Sequence, residues 1–436
     1  MTTVAQLTQA LQEVFTTTAD ALARRTGFVQ RTSKLTGALF AQTLIFGWLA
    51  NPQASLEGLA QVAAAVGVTI RAQSLDERFT EGAAVFLEEL LARAVQTVIA
   101  ADPVAIPLLE RFRAVVLLDS STITLPAALA LWWPGCSAGT AALKLHVRYD
   151  LCRGQLSGPL VREGRASERS TAMQTDPLPP RALRISDLGF FTLRVFAAMT
   201  AQGVYWLSRL APGTAVYTQD GKRWDVLDLL AAQRTPTVEV DVTLGVDQRL
   251  PARLLAVRVP EEVANQRRRR LRAEATRRGR MPSVAQRAWC DWTIVVTSVP
   301  HPLLSLREAL VLLRARWQIE LLFKLWKSHG CIDESRSSQP WRVLCEVFAK
   351  LLAMVVQHWL LLISCWSFPE RSLLKAAQTI RQHALHVASS LACPTFLDHA
   401  LGVVQRCVAA GCRLNRRKTK PNTYQLLLDP SLDRLA

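Results

Sequence analysis

An α/β protein with added helical regions at both ends is predicted, and three features of the sequence predict it. Residues 1–105 and those after about 300 carry helical periodicity with little strand signal. Between them, short β-branched apolar runs flank a helical stretch, and from 211 to 299 alternating polar and apolar residues indicate antiparallel strands. Half of the 436 residues are hydrophobic and 20% are charged, which excludes a largely disordered chain. The length suggests roughly two to four domains. Lys and Arg number 52 against 35 Asp and Glu, a formal net charge of +17, so the expected partner is a polyanion, nucleic acid foremost.

The helical N-terminal region contains SLEGLAQVAAAVGVTIRAQSLDERFT, which has the shape of a helix-turn-helix. Ser55 is placed to cap a first helix, Gly67 to make the turn, and a second helix is expected through Arg71, Gln73 and Arg78. An ordinary αα-hairpin is the bland alternative. AVVLLDSSTITLP, the hairpin ALKLHVRYDLCRGQLSGPLVREG and LRISDLGFF then read as strands, FTLRVFAAMTAQG as a helix and VYWLSRL as a further strand. TVEVDVTLGV and ARLLAVRV read as antiparallel strands that lead into QRRRRLRAEATRRGR. Gln266 to Arg280 holds eight arginines and one glutamate, more charge than solubility requires, which makes Arg267, Arg268, Arg269 and Arg270 candidate phosphate contacts. After the strand WTIVVTS, LREALVLLRARWQIELLFKLWKS reads as one long helix, and the apolar run Leu351 to Trp366 as a buried helix too short to span a membrane. A basic segment, RLNRRKTKPNTYQ, lies near the end.

Several residues carry possible chemistry. Asp119 is expected at the end of the apolar strand VVLL, and Asp187 at the end of LRIS before a glycine-containing turn. Each alone is ordinarily a turn or capping residue. Two carboxylates delivered by neighbouring buried strands need a further reason, and a divalent metal is one. Arg316, Glu320, Lys324 and Lys327 fall on about one face of a helix, a charged stripe beside an apolar one. Asp150 fits a hairpin turn better than a ligand role, and His146 has no second His or Cys at ligand spacing. The nine cysteines are scattered without a CxxC pair and read as reduced thiols, no secretory leader is apparent, and no GxxxxGK[ST] loop supports an ATP-driven activity.

FVQRTSKLTGALFAQTLIFGWL, LLDSSTITLP, KLHVRYDL, SDLGFF and LRARWQIELLFKLWKS together resemble a DDE transposase of the bacterial insertion-sequence-four family. That family's signature is Tyr, two residues, Arg, three residues, Glu, six residues, Lys. Arg316, Glu320 and Lys327 fit it, while Leu313 stands in the tyrosine position and departs from it. The resemblance runs from about residue 28 to about 366.

It implies a ribonuclease-H-like mixed sheet interrupted by a β-rich insertion: core at 106–210 and 300–366, insertion at 211–299, a DNA-binding helical region at 1–105 and a basic helical tail at 367–436. It also implies Asp119, Asp187 and Glu320 as ligands of two Mg²⁺ ions, for which Mn²⁺ would substitute. Arg316, Lys324 and Lys327 would be DNA contacts, and Trp292 would stack on an extruded base unless it is a core aromatic. Trp317 is expected to pack. The implied partners are double-stranded DNA, as terminal inverted repeats and target, and a second copy of the chain on paired ends. The implied location is the cytoplasm, at the nucleoid when DNA is bound, with no membrane. A catalytically degenerate DNA-binding copy, left open by Leu313, and a ribonuclease-H-like nuclease without strand transfer are the alternatives.

Overall fold

The structure is a computed structural model that describes residues 2–31, 33–368, 370–415 and 421–433. Part of the basic C-terminal segment, 416–420, lies outside the described residues. Ten strands occur among those described: β1 Val115–Leu125, β2 Ala141–Asp150, β3 Leu156–Glu163, β4 Leu183–Ser186, β5 Tyr205–Arg209, β6 Val216–Tyr217, β7 Arg223–Trp224, β8 Thr237–Leu244, β9 Leu250–Arg258 and β10 Trp292–Thr297. The chain divides into two compact units, and β1 passes from one to the other between Leu118 and Asp119.

The first unit comprises Met1–Ala105, Asp119–Ser167 and Gln318–Asn415. Its centre is the helix Pro340–Ser364, against which the helices Gly37–Ala50 and Glu81–Ala94 pack. Gly37–Ala50 is apolar around its whole circumference and is accordingly buried from Gly37 to Leu49 except at Leu39. Thr36 starts it by accepting the Leu39 N–H. Pro340–Ser364 is longer than the apolar run that announced it, because its first turns carry Glu346 and Lys350 as a buried ion pair at 2.8 Å. By length and composition it would suffice to cross a membrane; here it is enclosed by its own unit. β2 and β3 form the expected antiparallel hairpin beside β1. Asp150 makes its turn: Oδ1 accepts from the Cys152 N–H at 2.9 Å and the carbonyl accepts from the Gly154 N–H at 2.8 Å. Gly154 sits at φ +66°, with Leu362 and Trp366 filling the space where a Cβ would stand.

The second unit comprises Ile106–Leu118, Glu168–Trp317 and Arg416–Ala436. β1, β4 and β5 lie side by side and parallel, and β10, β9 and β8 extend the sheet by antiparallel pairing. The order β3-β2-β1 in the first unit and β1-β4-β5 in the second is that of a ribonuclease-H-like mixed sheet. Leu193–Ala201 connects β4 to β5 and buries Phe196, stacked on Trp206 of β5 with centroids 4.6 Å apart. Arg184 of β4 is fully buried and satisfied by the carbonyl of Gln174 at 2.9 Å, its side-chain oxygen at 2.7 Å and Ser186 Oγ at 2.9 Å.

Three expectations are corrected. The second helix of the helix-turn-helix is a single turn, Ala72–Asp76, because i→i−3 bonds at Arg78 and Phe79 tighten the chain and bury Phe79. Its first part stands as expected: Ser55 caps Leu56–Ala65 and Gly67 turns at φ +100°. The long helix after Ser305 is two helices, Leu306–Ala315 and Trp317–Ser328, with Arg316 between them and its N–H turned to the Arg314 carbonyl, out of the i−4 ladder. Trp317 is not packed but 55% exposed.

Candidate active site

Asp119 is half-buried in β1, and the strand does not end there, since β-branched Thr122, Ile123 and Thr124 carry it on to Leu125. What ends at this point is the parallel ladder to β4, whose last register pair is Leu118 with Ser186. Asp119 and Asp187 are the next residues along the two strands. The Asp119 Oδ1 accepts the Ser120 N–H at 2.8 Å. Asp187 precedes the 3₁₀ turn Leu188–Phe190 as its N-cap, yet its carboxylate makes no capping hydrogen bond, so the ordinary structural use of an aspartate here is not taken up.

Glu320 is half-buried in the first turn of Trp317–Ser328, which buries Ile319, Leu322, Phe323, Leu325 and Trp326 on its other side. Lys324 and Lys327 share its face; Lys324 is exposed. Lys327 Nζ donates to the Thr122 carbonyl at 2.8 Å, which ties the Glu320 helix to β1 three residues beyond Asp119. An ammonium has three donors, so Lys327 keeps capacity for a phosphate oxygen. Among the described residues, no three His, Cys, Asp or Glu side chains stand together at metal-holding distances. The donor chemistry of Asp119, Asp187 and Glu320, all carboxylates, suits a hard divalent cation.

Sequence reasoning missed Glu168. Its carboxylate occupies the space beside Gly189, two residues after Asp187, so that a side chain at Gly189 would collide with it. No periodicity marks this residue, because it lies in a loop of short 3₁₀ turns.

The arginine-rich stretch is the helix Glu261–Arg277, and its four consecutive arginines are not equivalent. Arg267 donates to the Trp292 carbonyl at 2.8 Å and to Thr293 Oγ1 at 2.9 Å, and burial lowers its pKa. Arg268 is paired with Asp291 and Glu261. Arg269 and Arg270 point into solvent. Trp292, the first residue of β10, is partly buried against the sheet's hydrophobic cluster. His146 is a buried residue of β2, and the nine cysteines are free thiols.

The transposase DDE domain family matches residues 110–356, a span that contains Asp119, Asp187 and Glu320. The chain belongs to the transposase DDE domain family. It is 26% identical over 360 residues to the transposase for insertion sequence element IS231B of Bacillus thuringiensis subsp. berliner, covering 77% of this chain and 75% of that one. The IS231C transposase from the same source is 28% identical over 360 residues, with 77% and 75% covered. The transposase for IS1151 of Clostridium perfringens is 22% identical over 370 residues, with 77% and 76% covered. As a DDE transposase the chain acts on DNA and cleaves nucleic acid, a chemistry that in this family generally uses divalent metal.

Proposed function

We propose that the chain is the transposase of an insertion sequence: it binds the element's ends, cleaves them with Mg²⁺ held by Asp119, Asp187 and Glu320, and joins the freed 3′-OH ends to target DNA. The observation that carries this is the β1–β4 register, which sets Asp119 and Asp187 directly after the paired residues Leu118 and Ser186 within the span matched to the family. Two such ions, when bound, activate a water and stabilise the leaving 3′ oxygen. The protein's part is to present Asp119 within β1, Asp187 just after β4 and Glu320 on a packed helix, and to hold phosphates beside them with Arg316, Lys324 and Lys327. The core is assigned to 106–210 and 300–366, the β-rich insertion to 211–299, the DNA-binding region to 1–105 and a basic tail to 367–436. Two copies acting on paired ends follow from the need to join two ends in one event.

The test is an assay on DNA carrying the element's ends with Mg²⁺ or Mn²⁺, wild type against Asp119→Ala. Metal-dependent 3′-OH ends and joined products, lost in the variant, are expected. Cleavage without joining would favour a nuclease, and specific binding without cleavage a degenerate copy for which Leu313→Tyr is the first repair.

The solvent-facing arginines supply a second expectation. Arg269→Ala with Arg270→Ala should reduce the slope of log K against log salt by about 1.8, at about 0.9 per lost phosphate contact. Arg267→Ala should lower thermal stability instead, since its guanidinium binds β10. Binding measured from low to moderate salt checks this, and an unchanged slope would remove the helix from the DNA interface.

A further inference from the structure

The turns that follow the helix carrying Glu320 are held by two cations that the signature does not include. Past Ser328 the chain closes with the His329 and Gly330 N–H groups on the Leu325 carbonyl and the Cys331 N–H on the Lys327 carbonyl, and Cys331 takes φ +48°. Gly330 permits close approach to the neighbouring helix, for a Cβ there would stand 2.5 Å from Met354 Sδ and 2.6 Å from the Trp326 carbonyl. With the Ile332 N–H on the Trp326 carbonyl, these bonds use most of the helix's own last carbonyls, and side chains collect carbonyls of the turns that follow. Lys350 Nζ, 1% exposed, donates to the Cys331 carbonyl at 2.9 Å and the Glu334 carbonyl at 2.8 Å, and Arg381 Nη2 donates to the His329 carbonyl at 2.5 Å. Glu346 pairs with Lys350 and accepts from Ser335 Oγ at 2.7 Å.

A buried ion pair of this kind is a poor source of stability, because an apolar pair of the same size is often as stable or more so. What Lys350 and Arg381 bind instead are the carbonyls of His329, Cys331 and Glu334, so they hold the chain where it leaves the helix. We propose that Lys350 and Arg381 are positioning residues for Glu320: they fix where the Trp317–Ser328 helix ends, and the helix, tied to β1 by Lys327, transmits that to the carboxylate. The inference rests on the assignment of Glu320 made above.

The test compares the full-length chain with Lys350→Met combined with Glu346→Gln, which leaves no orphaned charge, and with Arg381→Met, which leaves the pair intact. Amide hydrogen exchange at 328–335 should quicken in both. The Mg²⁺ concentration giving half-maximal end cleavage should rise about tenfold in the double variant, as for groups that orient metal ligands. Metal-free DNA binding should not change. Unchanged exchange, or faster exchange with the wild-type Mg²⁺ dependence, overturns the proposal and leaves the cluster as packing. Should the double variant fail to fold, Arg381→Met decides by the same two readouts. Cleavage by Glu320→Gln at the wild-type rate would instead withdraw the Glu320 assignment, and with it the positioning role, even if exchange at 328–335 still changes.

Discussion

Glu320→Gln is expected to lower cleavage of the element's ends by about three orders of magnitude or more, about 4 kcal/mol of transition-state stabilisation. Gln keeps the size and reach of the side chain but not its charge, and an amide is a poor substitute where a hard cation must be held. Glu320 lies half-buried on the polar side of its helix, while the opposite side, from Ile319 to Trp326, supplies the packing, so the fold should survive. Removing a negative charge should not weaken affinity for a polyanion. Cleavage and gel-shift binding, measured on the same preparation, separate the outcomes. Lost cleavage with retained binding supports a ligand role; equal loss of both makes Glu320 structural. Retained cleavage would direct attention to Glu168, the other carboxylate beside the Asp187 turn.

The strands were legible because each carries its own pattern. Val115–Leu118 is apolar and begins with two β-branched valines, β8 alternates, and Asp150 with Gly154 spells the hairpin turn. The proposed site has a different basis in the sequence: carboxylates at 119, 187 and 320 stand out against apolar strands and a striped helix. What pattern could not supply was termination. Arg316 has good helix propensity, and nothing local announces that it divides two helices; Arg78 likewise belongs to a turn decided by the burial of Phe79. Nor does sequence reveal how a charge is spent. Arg267 and Arg269 look alike in a run of four, yet the first binds β10 and the second meets solvent, because only one helical face meets the sheet. Glu346 and Lys350, an i,i+4 pair inside an apolar helix, gain a purpose only where the carbonyls of Cys331 and Glu334 lie beside them.

Acid should destabilise the first unit through His358. Its Nε2 lies 2.7 Å from the Gly154 carbonyl, which fixes the neutral tautomer with the proton on Nε2, while Nδ1 is buried with no hydrogen-bond partner among the described residues. Protonation at Nδ1 would create an unpartnered buried charge, and burial accordingly lowers the pKa from 6.5 to about 4, against the opposing pull of the Gly154 carbonyl. Below pH 6.5 the unfolded chain takes up a proton that the folded one refuses, so stability is full above that value and falls as pH drops toward 4. Between pH 7 and pH 4.5 the loss from this group is on the order of 2 kcal/mol. In His358→Gln the amide can still donate to Gly154 but does not titrate. Urea unfolding at pH 7, 5.5 and 4.5 should therefore show a shallower decline for the variant, even if it starts lower. Parallel declines would clear His358 of the effect. Because Gly154 closes the β2–β3 turn, the same substitution should also preserve a larger fraction of cleavage activity at pH 5, relative to pH 7, than the wild type keeps. That outcome would separate acid unfolding from a pH effect on the reaction itself, which would depress both proteins equally.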